Sequence, residues 1–220
     1  DAYIPKLVRT AQPLGHPGDA IMGNNYNFVA DLTNRATKVT IPAPSRFHFQ
    51  YGVNAIDESI YPNREQFWDD VTQVYRSEIV GLENLGCNFI QIDDPILSFF
   101  CDPTATAKMR SDGENPENLL KEYIDATNAA VSERASSTTV GLHICRGNAR
   151  STWAVSGGYA AIAEQVFPHL DVDVFFLEFD DERSGDFEPL KLIPASTSIV
   201  LGLVTSKRPE LESPDLLKRR

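Results

Sequence analysis

The sequence has no run of apolar residues long enough to span a bilayer. It is also short of positive charge: 20 Lys and Arg stand against 31 Asp and Glu, a formal net charge of −11 at pH 7. That balance argues against a nucleic-acid footprint and against docking on an anionic membrane. Cysteine is scarce, three residues at irregular spacing, so there is no disulfide framework, and reduced thiols in a cytoplasmic setting are the simpler reading. The opening residues Asp1-Ala2-Tyr3-Ile4-Pro5 carry no signal-peptide pattern and no initiator Met, which leaves room for a processed or partial chain. There is no glycine-rich phosphate loop, internal repeat or low-complexity segment.

What is present is ordinary for a globular chain. The 220 residues are 42% hydrophobic and 23% charged, enough for one large core and a single domain over 1–220. Runs rich in β-branched and apolar residues predict strands over 38–42, 88–92, 138–144, 172–179 and 199–204. Between them, helical spacing of Phe67, Val71, Val74, Tyr75, Ile79 and Leu82 predicts a long helix from about residue 63. Gln66 is placed as its capping-box partner and Gly86 as its stop. A second helix starts at Pro116 behind an Asn115 cap. Shorter helices are expected over 27–36, from Gly157-Gly158 to Phe167, over 187–193 and in 209–220. Residues 49–62 read as irregular, and 98–113, with Cys101, as a loop. Alternating strands and helices imply parallel βαβ units.

Each strand ends in polar residues: Ser45 and His48, Asp93 and Asp94, His143 and Cys145, Glu178 and Asp180, Thr205 and Lys207. In β/α barrels and doubly wound sheets alike, function sits at the C-terminal ends of the strands. His143 and Cys145, two apart on a strand, share a face, and that pair suits a borderline-soft metal, above all zinc. By itself the pair is more often a packed histidine beside a buried cysteine than a metal site. Gln91 and Asp93 share a face of the preceding strand; Asp93-Asp94 also reads as a solvated corner. Glu178 at the end of an apolar strand needs a partner, either a metal or a nearby Arg or Lys.

Several of these stretches together resemble one family. Residues 86–95, Gly-Cys-Asn-Phe-Ile-Gln-Ile-Asp-Asp-Pro, resemble a motif of the C-terminal catalytic barrel of cobalamin-independent methionine synthase. Residues 142–148, Leu-His-Ile-Cys-Arg-Gly-Asn, look like its zinc segment, and 176–190 like the strand that supplies a zinc-binding Glu. With 38–45 and 201–212 the likeness covers roughly 24–214 and points to a short-chain branch. The resemblance implies a TIM-type β/α barrel, incomplete in this chain. It implies zinc held by His143, Cys145 and Glu178, which activates a homocysteine-like thiol to take a methyl group from a folate-like donor. Asp93 matches the carboxylate for the substrate amino group. Asp94, where the synthases commonly have Glu, together with Gln91 and Ser45, is expected at the substrate pocket, and Asn148 at its wall.

Three departures bear on that expectation. The family's fourth ligand, a second Cys on a later strand, has no match here, and Cys87 and Cys101 are poor substitutes. The barrel strands that would precede residue 24 have no counterpart. The synthases carry a His near the last matched segment, where this chain reads Leu203-Val204-Thr205-Ser206-Lys207. Two other readings therefore stand beside methionine synthesis: a zinc enzyme alkylating another thiol, of the coenzyme M–epoxide type, and a barrel remnant without catalysis.

Overall fold

The structure, a computed structural model, describes residues 10–49, 56–148 and 150–219. Its elements run α1 (Gly23–Ala30), β1 (Val39–Pro42), α2 (Ser45–Phe49), α3 (Arg64–Asn84) and β2 (Phe89–Asp93). A 3-10 helix, Pro95–Cys101, leads to α4 (Pro103–Ser111), α5 (Pro116–Val131), β3 (Thr139–Ile144) and α6 (Ala163–Val166). They end with β4 (Val174–Glu178), β5 (Ser198–Gly202) and α7 (Pro214–Arg219). The strands are ordered β1-β2-β3-β4-β5, following the chain. β4 runs parallel to both β3 and β5. A doubly wound sheet reverses its order at a switch point; sequential order is that of a β/α barrel. The chain is thus an α/β protein of the expected class.

The chain divides into two compact units. The first holds Asp1–Ile90 with Asp125–Thr138. Its long helix α3 starts where the sequence places it: Asn63 accepts a hydrogen bond from the Gln66 N–H at 3.0 Å. Phe67, Val71, Tyr75, Ile79 and Leu82 form its buried stripe. Glu78 on that stripe is buried but satisfied, by Ile21 N–H at 2.6 Å, Met22 N–H at 2.9 Å and the His16 ring at 2.9 Å. Gly86 stops the helix with φ at +93°, a conformation that favours glycine. The predicted helix over 27–36 lies earlier, as α1, with no side-chain cap to pin its start. Ser45 and His48 are buried in the short helix α2. Of the stretch expected to be irregular, 50–55 lie outside the described residues, and 56–62 are turns and bends.

The second unit holds Gln91–Ile124 with Thr139–Arg220. His143 pairs in register with Phe176, and Phe176 in turn with Val200. Leu142, Ile144, Phe175 and Leu177 are buried, and the Phe175 ring meets Phe167 at 5.3 Å. The expected loop over 98–113 is instead the 3-10 helix and α4. Asp102 caps α4, accepting from Thr104 N–H at 2.8 Å and Ala105 N–H at 3.3 Å, with Pro103 in the first turn. The helix expected from Gly157 to Phe167 is a 3-10 turn, Tyr159–Ala161, followed by α6. The one expected over 187–193 is a 3-10 helix, Glu188–Leu192. Every residue of β5 is exposed.

Candidate functional site

At the C-terminal ends of β3, β4 and β5 lies a cavity of about 420 Å³, lined by Gln91, His143, Cys145, Glu178 and Lys207 among others. The alternation of β2 turns Gln91 and Asp93 to one face, and Gln91 Nε2 donates to Asp93 Oδ1 at 2.7 Å. The same oxygen lies 2.9 Å from His143 Nδ1. This bond, with a second from Cys145, pushes the His143 pKa up to about 9, against the opposing effect of burial. His143 and Cys145 thus project together into one cavity.

Glu178 also lines this cavity, with both carboxylate oxygens engaged. Oε2 accepts from the Arg146 N–H at 2.6 Å, while Oε1 faces the Arg183 guanidinium and lies 3.5 Å from Lys207 Nζ. Arg183 also pairs with Asp180 and Asp181 and stacks on Trp153, 4.5 Å from the ring centre. Burial works to raise the Asp180 pKa, but Thr205, Arg183 and Lys207 together bring it below the usual value. Among the described residues, no three His, Cys, Asp or Glu side chains are gathered closely enough to hold a metal ion. The donor set His, Cys and Glu suits zinc, and His143, oriented through Nδ1 by a carboxylate, has the arrangement usual for a zinc-ligating histidine. Glu178 fits by chemistry and position, with its oxygens now turned to Arg146 and Arg183.

Asp94 is buried; its N–H donates to the His143 carbonyl at 2.8 Å, and it is not part of the cavity wall. Ser45 belongs to the first unit. Asn148 lines the cavity and donates to Ser206 Oγ at 3.1 Å. Burial raises the Cys87 thiol, which donates to the Phe89 carbonyl, and pushes Cys101 up to about 11, so both are poor thiolates. Sequence reasoning missed Arg146 and Tyr159 altogether, and foresaw Arg183 only as an unnamed Arg or Lys beside Glu178. Their partners lie as far as 38 residues away along the chain, and no local pattern announces them.

Comparison with known proteins shows the family and the fold. Residues 52–220 match the family described as cobalamin-independent synthase, catalytic domain. The uncharacterized protein YxjH of Bacillus subtilis is 42% identical over 198 residues, 89% of this chain and 52% of that protein. The methionine synthase of Pyrococcus furiosus is 27% identical over 72% of this chain and 38% of its own length. The chain therefore spans about half the length, or less, of these relatives. A solved structure described as a putative vitamin-B12 independent methionine synthase, from Listeria monocytogenes, aligns at a TM-score of 0.76 and 30% identity. That alignment covers 94% of this chain and 58% of the Listeria chain. A B12-independent methionine synthase from Shewanella, in complex with selenomethionine, aligns at 0.64 and 18% identity over 91% of this chain and 54% of its own, a likeness of fold alone. With a family match over residues 52–220, most of its length, the chain belongs to the cobalamin-independent synthase catalytic-domain family.

Proposed function

We propose that the chain is the catalytic β/α-barrel domain of a zinc-dependent methyltransferase, which transfers a methyl group from a folate-like donor to a homocysteine-like thiol in the cytoplasm. The observation that carries this reading is the projection of His143, Cys145 and Glu178 into one cavity, with Asp93 on the Nδ1 side of His143. His143, Cys145 and Glu178 would hold the metal. Bound zinc would lower the pKa of a substrate thiol, so that the thiolate is available at neutral pH.

Asp93 fixes the orientation of His143 through Nδ1, which would leave Nε2 to a metal. Its carboxylate, steadied by Gln91, is also the acceptor for a substrate ammonium group. Arg183 and Lys207 balance the charge of Glu178. Phe176, Leu177 and Val200 supply an apolar wall that limits water. In the transfer, the substrate sulfur forms a bond to the methyl carbon as the carbon–nitrogen bond of the donor breaks. The nitrogen keeps the electron pair and takes a proton.

A second reading, alkylation of another thiol by a different donor, draws on Lys207. It stands in the cavity wall at the segment where the resemblance leads one to expect a histidine. Two measurements test the first reading. Elemental analysis after dialysis should find zinc that Cys145→Ser and His143→Ala each remove. Calorimetry should show Asp93→Asn weakening homocysteine binding by about 10-fold or more while zinc content is kept, the loss of one charge-assisted hydrogen bond. Zinc that survives both ligand substitutions would overturn the metal assignment. Alkylation of coenzyme M by an epoxide, with no methyl transfer to homocysteine, would favour the second reading.

A further inference from the structure

Arg146 follows Cys145 directly and is fully buried. A buried cation is costly unless it is well paired, and this one takes its partners from three separate segments. Nη1 donates to the Glu178 carbonyl at 2.9 Å. Nε and Nη2 donate to the Gly157 carbonyl at 3.2 and 2.7 Å, and Nη2 also reaches the Ser184 carbonyl at 3.2 Å. Its own N–H holds Glu178 Oε2 at 2.6 Å. One residue thus grips both the main chain and the carboxylate of Glu178.

Tyr159 braces the same place. Its ring lies 4.0 Å below the guanidinium, and its hydroxyl donates to the Ile144 carbonyl at 2.6 Å. The same oxygen accepts the Glu178 N–H at 2.9 Å. The ends of β3 and β4 are therefore tied twice, once through each residue, directly behind Cys145 and Glu178. Glycine makes this possible. A Cβ on Gly157 would sit 2.3 Å from the Cys101 carbonyl oxygen, and one on Gly185 would sit 2.7 Å from the Gly158 Cα. With Oε2 held by the Arg146 N–H, Oε1 is the oxygen that faces Arg183 and Lys207, and a metal would take it in place of those cations.

We propose that Arg146, braced by Tyr159, is a positioning residue that fixes Cys145 and Glu178 at one spacing and so sets the affinity of the site for a zinc-class divalent cation. The inference rests on the reading that His143, Cys145 and Glu178 are metal ligands. Lysine could not replace Arg146, because a point donor on a flexible stem cannot satisfy carbonyls on three segments at once. Tyr159→Phe is the milder change: it keeps the ring and removes two hydrogen bonds.

The test uses the full chain with Zn(II) or Co(II) alone. Zinc affinity is measured by competition with a chromophoric chelator, at a temperature where circular dichroism shows every variant folded. Tyr159→Phe should weaken zinc by about 10-fold and Arg146→Lys by about 100-fold, the range seen when groups behind metal ligands are lost. The Co(II) form of each should lose intensity in its thiolate charge-transfer band, which a merely structural role would not move in a folded chain. If Arg146→Lys does not fold, Tyr159→Phe carries the test alone. If the folded variants keep wild-type zinc affinity and an unchanged cobalt spectrum while Cys145→Ser loses the metal, the positioning role is wrong and the metal reading stands. If Cys145→Ser binds zinc like the wild type, the metal reading falls and the positioning role falls with it.

Discussion

Strands β4 and β5 pair in parallel in the same unit and both have an apolar centre, Val-Phe-Phe-Leu-Glu against Ser-Ile-Val-Leu-Gly, yet their surroundings are opposite. Phe175 and Leu177 on β4 are at most 2% exposed, whereas Val200 on β5 is 46% exposed. Hydrophobicity does not separate them; cover does. Phe167 packs on Phe175, and the brace of Arg146 and Tyr159 closes over the end of β4. β5 offers an apolar surface of Ile199, Val200 and Leu201 beside exposed Val204. Strands of parallel sheets are normally covered on both faces, so such a sequence signals capacity for burial, not burial achieved. The same contrast crosses the site. Its wall at β3 and β4 is tied by hydrogen bonds among buried groups, while its wall at β5 is Val200, Gly202 and Val204.

The largest expected effect breaks the covered side. Phe175→Ala should cost about 3–5 kcal/mol, the range for a large buried ring removed from a packed core. Val200→Ala at the neighbouring strand should cost under about 1 kcal/mol, since it leaves no cavity. Urea unfolding of both variants measures the difference. Equal losses would mean that β5 is covered in solution, and the contrast would vanish. Gly157→Ala comes next. The new methyl would clash with the Cys101 carbonyl and demand a φ near +120°, which together should cost at least about 1–3 kcal/mol. It should also weaken zinc binding, because the Gly157 carbonyl anchors the Arg146 fork.

Much of this was legible in the sequence, for identifiable reasons. All five strands follow β-branched runs, and α3 and α5 follow their caps, Asn63 and Asn115. The two-residue periodicity of strands puts Gln91 beside Asp93 and His143 toward Cys145, which the hydrogen bonds of those side chains repeat. α4 went unseen because Thr-Ala-Thr-Ala-Lys has no apolar stripe, although Asp102-Pro103 was a readable start signal. The partner of Glu178 was foreseen only as a choice between a metal and a cation. Arg183 takes it five residues on, across a loop whose path no local pattern sets. Arg146 was invisible as a brace, because a polar residue after a strand reads as solvent-facing until the chain folds back on it.

The smallest effect tests a fastening of the covered side. Asp102 caps α4, and its other oxygen accepts the Ser156 N–H at 3.1 Å, one residue before Gly157. That bond is the chief cause of its lowered pKa, ahead of burial, which opposes it, and of the bonds from Thr104 and Ala105. A carboxyl with a depressed folded pKa adds stability that is full above its unfolded value, about 3.9, and is lost as pH falls through the folded value. Asp102→Ala should cost about 1 kcal/mol at pH 7, an ordinary cap loss. The gap between wild type and variant should then narrow as pH drops below about 4. Asp102→Asn keeps an acceptor for the cap without the charge, and should lie between the two at pH 7 and meet the wild type in acid. Urea unfolding across this pH range measures all three chains. A gap that stays constant to the lowest pH would show that the charge of Asp102 contributes nothing, and that the segment before Gly157 is held by the packing around it instead.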